Sequence, residues 1–202
     1  MNDDHQLLPQ DNCRWQDWIV PIACEQVSLA EALETAHHIA AQPRDIPLIV
    51  RLCENPKFEI PGFGFDGAVT LDDHDCIHAL LGRGLRSKDE AFVVGFTMGS
   101  TNRVSTTQET LYAWASQYLY PKPYRFRDSD VQVYRDAVRL GYVSDCQPLN
   151  QVDFQPLLSK SLAEARTELG IETDLLRAHY RIEAKRYPKS EASQRLLASE
   201  AG

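Results

Sequence analysis

Long apolar runs are absent from this 202-residue chain. No segment approaches the roughly 20 apolar residues that a membrane-spanning helix needs, so a transmembrane protein is excluded. The first residues have neither the basic and apolar regions of a secretory signal nor the Arg-rich, acid-poor character of a mitochondrial transit peptide. We therefore expect a cytoplasmic protein.

Cysteine is scarce and positive charge is in deficit. The five cysteines are odd in number, widely spaced and never arranged as C-x-x-C, which indicates free thiols in a reducing compartment. Lys and Arg number 21 against 29 Asp and Glu, a formal net charge of −8. The cysteine pattern disfavours a disulfide-stapled secreted module. Phosphate backbones repel a chain with this net charge, so a nucleic-acid partner is disfavoured as well.

Alternation of β-branched residues is scarce as well, and Gly and Pro fall between segments of helical length. This pattern predicts an all-α fold, a single-domain multi-helix bundle with short connecting loops. No internal repeat is evident. We divide the chain into an N-terminal segment (1–27), a helical domain (28–171) and a charged C-terminal helical extension (172–202).

Several helix boundaries are marked by local signals. Ser28-Leu-Ala-Glu31 and Ser87-Lys-Asp-Glu90 both have the capping-box pattern, and Gly141 is placed to end a helix. The predicted helices span about 28–41, 46–53, 71–82, 87–100, 105–120, 128–140, 162–169 and 173–187.

Metal-ligating residues are concentrated around the predicted helix 71–82. His74 and His78 are four residues apart and lie on one face of that helix, so two imidazoles can reach one cation. Asp75 can ligate the same ion, or it can orient a ligating histidine by accepting a hydrogen bond from its other ring nitrogen. Glu90 opens the next helix, and a glycine-rich turn can fold that helix back. This mixed nitrogen and oxygen set suits zinc or another first-row divalent metal.

Each of these residues also has a structural explanation. A histidine pair at this spacing occurs by chance on surface helices. Glu90 at the third position of its helix would cap that helix without any metal. Cys76 lies between the histidines but points elsewhere on the helix, which is typical of a packed thiol.

The segment from His74 to Glu90 resembles the signature of the coenzyme Q biosynthesis protein four family. In both, His-Asp-x-x-His is followed by eleven residues and a glutamate. The similarity continues through His78-Ala-Leu-Leu-Gly82, which is similar to the family's His-Thr-Leu-Leu-Gly.

A second stretch carries the same resemblance. Residues 152–171 begin with Val-Asp-Phe and end with Arg-Thr-Glu-Leu-Gly-Ile, as the family's closing segment does. The resemblance covers residues 28–171. Cys76 departs from it by standing where a larger apolar residue is expected, and residues 172–202 extend past the family's usual end.

The resemblance implies a helical, metal-dependent protein of ubiquinone biosynthesis. The implied reaction removes the ring carboxylate of a polyprenylated 4-hydroxybenzoate-derived precursor and oxidises that carbon, a carbon–carbon lyase (decarboxylase) type of activity. His74, His78 and Glu90 would be metal ligands and Asp75 a ligand or proton handler, with Asp75 and Glu90 as the catalytic residues. The expected partners are a polyprenylated aromatic lipid, other quinone-biosynthesis proteins and a second copy of the chain.

A lipid partner gives two segments a possible role, and each keeps an alternative. Ala91, Gly95 and Gly99 form a ridge of small residues that either lines a channel for the lipid tail or lets a neighbouring helix pack closely. Residues 118–127 interleave aromatic rings with Lys and Arg, which favours either peripheral contact with the inner face of the cell membrane or a packed inter-helix loop.

Two other functions compete with the enzyme. The first is a non-catalytic lipid-binding or scaffold protein that presents quinone precursors and holds a structural metal. The second is a phosphoester hydrolase, which usually needs further His and Asp ligands downstream. The only histidine after Glu90 is His179, which we expect to be solvated on a charged helix.

Overall fold

The computed structural model describes residues 3–9, 13–39, 69–118 and 125–200, and within these ranges the fold is all-α. There are eight α-helices and no sheet in this part of the chain, which confirms the predicted fold class. The helices are α1 (Leu29–Ile39), α2 (Leu71–Leu81), α3 (Ser87–Ser100), α4 (Thr106–Tyr118), α5 (Asp128–Val143), α6 (Leu162–Leu169), α7 (Thr173–Arg186) and α8 (Glu191–Gln194).

Short 3-10 helices complete the described structure at Asp3–Gln6, Trp15–Asp17, Leu149–Gln151, Gln155–Leu157 and Arg195–Glu200. Within the described ranges, no helix combines the length and apolar character that crossing a membrane requires. The predicted helix over 46–53 and most of the aromatic and basic segment 118–127 lie outside the described residues.

Helices α1 and α6 begin with the same pentapeptide, Ser-Leu-Ala-Glu-Ala, at residues 28–32 and 161–165. In each copy the glutamate accepts a hydrogen bond from the serine backbone N–H, at 2.8 and 2.9 Å, so both capping boxes form. Ser28 and Ser161 pair in an isolated antiparallel bridge. The two helix starts therefore lie side by side, and the shared pentapeptide is a recurring capping signal; it is too short to be an internal repeat of the fold.

The small-residue ridge on α3 packs against α5. A Cβ atom added to Gly95 would lie 2.4 Å from the carbonyl oxygen of Tyr134, and one added to Gly99 would lie 2.2 Å from that of Val138. These distances are below any van der Waals contact, so the two backbones approach as only glycine allows. Of the two predicted roles for the ridge, close helix packing is the one that the structure supports.

Gly141 serves the same helix pair from the other side. Helix α5 continues through Gly141 to Val143, so the prediction that this glycine ends the helix was wrong. A Cβ at Gly141 would lie 2.4 Å from the carbonyl oxygen of Phe96 on α3. The glycine is required by the neighbouring helix, and a local sequence pattern cannot distinguish that from a helix end.

Replacing Gly99 by alanine is therefore expected to destabilise the protein. The gain in helix propensity is about 1 kcal/mol, whereas forcing a methyl group into the α3–α5 contact costs roughly 1–3 kcal/mol. The net loss should appear as a lower urea midpoint in unfolding followed by circular dichroism. Thr107→Ala, at an exposed position of α4, is the control and should leave the midpoint unchanged or raise it. An equal or higher midpoint for Gly99→Ala would contradict the packing.

Helix α7 belongs to the core of the protein. It buries Leu176, Tyr180 and Glu183, and the Tyr180 hydroxyl donates a hydrogen bond to the carbonyl of Leu81 at the end of α2. His179 has a side chain only 14% exposed, with its ring 5.3 Å from that of Phe92. The prediction that His179 is solvated was therefore wrong, because charged neighbours along the helix concealed a face that packs inward.

His179 makes the stability of the fold depend on pH. Burial, followed by the positive charge of Arg83, lowers the pKa of His179 to about 4, whereas the unfolded chain has a histidine pKa of about 6.5. The unfolded state therefore takes up a proton first as pH falls. The contribution of neutral His179 is complete above pH 6.5 and is lost progressively towards pH 4.

The free energy of unfolding of the wild type should fall between pH 6.5 and pH 4. We expect that fall to be smaller by roughly 2–4 kcal/mol in His179→Gln. The measurement is urea unfolding of the metal-free protein between pH 7 and pH 4. His5→Gln, at an exposed N-terminal position, should keep the wild-type profile. Parallel profiles for wild type and His179→Gln would refute this account of His179.

Candidate metal centre

Helix α2 begins and ends where its sequence predicts. The Thr70 hydroxyl accepts a hydrogen bond from the backbone N–H of Asp73, and Gly82 ends the helix in the left-handed region with φ of 68°. His74 and His78 therefore lie one turn apart on the same helical face. Both side chains are buried.

The carboxyl end of α2 is held by a buried arginine that the sequence analysis did not single out. The Arg166 guanidinium donates hydrogen bonds to the backbone carbonyls of Ala79, Leu80, Ile22 and Cys24, at 2.9–3.4 Å. A cation at this end also complements the helix dipole. Burial lowers the pKa of Arg166 to about 10, which still leaves the side chain charged at neutral pH.

The N-cap of α3 lies one residue earlier than the sequence pattern predicts, at Arg86 instead of Ser87. The carboxylate of Asp89 accepts the hydrogen bond from the Arg86 backbone N–H at 3.2 Å. The prediction that Ser87 and Glu90 form the capping box was wrong, because Asp89 takes the third helical position. The capping explanation for Glu90 is thereby removed, and its side chain points towards α2.

Three ligand-type side chains converge between α2 and α3. His74 Nε2 lies 3.0 Å from Glu90 Oε2, and His78 Nε2 lies 3.3 Å from Glu90 Oε1. The two Nε2 atoms are 3.0 Å apart. All three ligand atoms fall within 4.8 Å of one another, a spacing that one metal ion can bridge. The Glu90 side chain is 29% exposed, whereas the side chains of His74 and His78 are buried.

With Glu90 ionised, no protonation of the two imidazoles satisfies all three of these contacts. If both imidazoles carry hydrogen on Nε2, each donates to Glu90, but the two N–H groups then point at each other. If only one carries that hydrogen, the other nitrogen faces the carboxylate with a lone pair. A divalent cation at the centre satisfies two lone pairs and one carboxylate together, so the donor set fits a metal.

The charge of the Glu90 side chain also favours metal binding. Burial would raise the pKa of the Glu90 carboxyl, but His78 and His74 outweigh that effect and hold it well below its usual range. The carboxylate is therefore ionised at neutral pH, as a metal ligand must be. The second ring nitrogen of His78, Nδ1, is buried without a hydrogen-bond partner in the structure. Packing and the Nε2 contacts therefore orient that ring.

The other residues of the motif lie outside this group. Asp75 is half-buried beside His74 and is not among the three clustered ligands, so its predicted role as a ligand or proton handler stays a prediction. Cys76 is 3% exposed, and burial raises its thiol pKa to about 12, which confirms a packed and unreactive thiol. Over the described ranges, no second group of His, Cys, Asp and Glu has metal-binding spacing.

No family model, curated protein or solved structure matches this chain. The resemblance to the coenzyme Q biosynthesis protein four family therefore stays a prediction from the sequence. The clustered side chains are evidence for a metal centre that does not depend on that resemblance.

The geometry predicts about one divalent metal ion per chain, bound by His74, His78 and Glu90. Elemental analysis of the purified protein after zinc loading and gel filtration measures this directly. His78→Ala and Glu90→Gln should each reduce the bound metal to near zero. At about a hundred times its Kd, zinc should also stabilise the wild type by about 2.7 kcal/mol, and not the variants.

Two further variants complete the metal experiment. Asp72→Asn changes an exposed carboxylate on the same helix and should retain the metal. Asp75→Asn separates its two predicted roles, because loss of metal would make Asp75 a ligand. A wild type that binds no divalent metal at stoichiometric level would refute the site.

Proposed function

We propose that this protein is a metal-dependent component of ubiquinone biosynthesis. Its substrate is a polyprenylated aromatic ring derived from 4-hydroxybenzoate, and its metal, most simply zinc, is bound by His74, His78 and Glu90. The observation that carries the metal centre is the convergence of those three side chains within 4.8 Å. The pathway and substrate follow from the resemblance of residues 74–90 and 152–171 to the coenzyme Q biosynthesis family.

The ligand count supports a catalytic metal over a purely structural one. Structural zinc sites usually close with four protein ligands, whereas catalytic sites keep three and leave a position for water or substrate. This centre offers three clustered ligands, and the Glu90 side chain is the partly exposed one. A phenolate or carboxylate oxygen of the aromatic ring can therefore approach from the side of Glu90.

The proposed reaction replaces the ring carboxylate by a hydroxyl group. The carbon–carbon bond to the carboxylate breaks as CO₂ leaves, water supplies the hydroxyl oxygen, and two electrons pass to an oxidant such as dioxygen, which becomes hydrogen peroxide. When bound, the metal supplies Lewis acidity towards an oxygen of the substrate. His74, His78 and Glu90 would hold that ion in place. Asp75, half-buried next to His74, would accept the proton that is released as the hydroxyl group forms.

A non-catalytic lipid-binding role is the second candidate, and a surface groove favours it. The groove lies between α3 and α5, has a cavity volume of about 340 Å³, and is lined mainly by apolar side chains that include Val104 and Val138. Tyr142 and Val143 at its edge are exposed. Such a groove suits a short stretch of a polyprenyl chain, and the metal would then have a structural role. A phosphoester hydrolase is disfavoured, since His179 is packed among Phe92, Tyr180 and Glu183.

Complementation of a bacterial strain that lacks this biosynthetic step distinguishes the two candidates. For the enzyme, Glu90→Gln should abolish ubiquinone formation and cause accumulation of a prenylated ring that still carries its carboxylate. Asp75→Asn should retain the metal but lower the rate about a hundredfold or more, the usual effect of losing an acid–base group. Lipid extracts analysed by mass spectrometry give both measurements.

The matched control is Asp72→Asn, which should complement fully. If Glu90→Gln loses its metal, remains folded and still supports ubiquinone formation, the enzyme proposal fails and the scaffold remains. If the wild type binds metal but supports no ubiquinone formation, the metal centre stands and the pathway assignment fails.

A further inference from the structure

The turn that joins α2 to α3 is covered by an arginine from near the end of the chain. A Cβ atom added to Gly84 would lie 2.1 Å from Nη2 of Arg195 and 2.3 Å from the carbonyl oxygen of Trp18. Arg195 also donates a hydrogen bond to the carbonyl of Gln16 at 2.8 Å. The guanidinium is therefore wedged between this turn and the N-terminal segment.

The same guanidinium reaches the residue that precedes the metal-binding glutamate. Asp89 is fully buried, and its Oδ2 accepts hydrogen bonds from Arg195 at 2.5 Å and from the backbone N–H of Arg86 at 3.2 Å. Its Oδ1 lies 3.8 Å from Nη1 of Arg83. Asp89 is thus fixed by the helix cap and by two cations, and Glu90 is the next residue along α3.

The second cation, Arg83, is itself held by the C-terminal helices. Glu183 accepts hydrogen bonds from both Arg83 terminal nitrogens, at 3.2 and 2.6 Å. The Arg83 guanidinium carbon lies 3.8 Å from the ring centre of Phe92 and 4.4 Å from that of Tyr180. Glu183 and Tyr180 both come from α7, and Phe92 lies two residues after Glu90.

We propose that Asp89 and Arg195 are positioning residues for the metal centre. They set the start and orientation of α3, and so decide whether the Glu90 carboxylate reaches the ion shared with His74 and His78. This inference rests on the proposed metal binding, but not on the pathway or the substrate.

The required precision makes such coupling measurable. Metal–ligand distances tolerate deviations of only about 0.2 Å, so a small shift of α3 changes coordination. Residues that orient metal ligands from outside the coordination shell typically contribute about 10- to 100-fold in metal affinity.

The test compares Arg195→Gln with Arg195→Lys in the full-length, metal-free protein. Titration with cobalt(II) against a chromophoric chelator gives the Kd, and the visible d–d absorption of the bound cobalt reports its coordination geometry. Arg195→Gln should weaken cobalt binding about tenfold or more and alter that absorption. Arg195→Lys keeps the charge beside Asp89 and should recover part of the affinity and the wild-type band shape.

The matched control is Arg177→Gln. Arg177 also ties the C-terminal helices to the N-terminal segment, through ion pairs with Glu25 at 3.2 Å and with Asp174 at 3.5 Å within α7. Its replacement should lower the unfolding midpoint without changing the cobalt Kd or spectrum. That difference separates positioning of the ligands from general loss of stability.

The outcomes are distinct. If the wild type binds cobalt and Arg195→Gln binds it with the same Kd and spectrum, the positioning role is refuted while the metal centre stands. If Arg195→Gln fails to fold, Asp89→Asn takes its place, because it keeps the side-chain shape and removes the charge that Arg195 contacts; an unchanged cobalt Kd and spectrum for that variant would refute the role instead. If the wild type binds no cobalt, the metal centre and this inference both fail.

Discussion

Arg83 is completely buried between the rings of Phe92 and Tyr180, and Glu183 compensates its charge. Removing an arginine from water is costly, and attraction to one carboxylate roughly offsets that cost, so the pair adds little net stability. Loss of one partner is a different matter, because an uncompensated buried charge destabilises a protein by about 3–5 kcal/mol. The pair is therefore costly to break, and it ties the turn between α2 and α3 to α7.

The cluster of His74, His78 and Glu90 also depends on its surroundings. Two imidazole nitrogens and a carboxylate meet at 3.0–3.3 Å, and with Glu90 ionised no protonation of the imidazoles makes all three contacts favourable. The surrounding fold holds them together: Arg166 fixes the carboxyl end of α2, and Asp89 fixes the start of α3. The contacts around the two helices thus hold together a cluster whose donor set fits a cation.

Local signals predicted most of the helical fold. The starts of α1, α2 and α6 follow from capping serines and a capping threonine, and the ends of α2 and α6 follow from glycines in the left-handed region, since these signals depend on residues within one turn. The predictions were wrong where the role of a residue depends on a partner that is distant in the sequence. Position 141 is a glycine within a helix because a side chain there would collide with the Phe96 carbonyl. His179 is buried because Phe92 and Glu183 lie against it.

The sequence by itself determined that His74 and His78 share a helical face, because a four-residue spacing on any α-helix has that consequence. It also indicated Glu90 as a ligand candidate, though with the wrong capping register. Only the tertiary structure decided that the Glu90 carboxylate meets both imidazoles and that Asp89, Arg83 and Arg195 surround the connecting turn. The reason is physical: helix periodicity is encoded locally, whereas the distance between two helices depends on buried charges far apart in the chain.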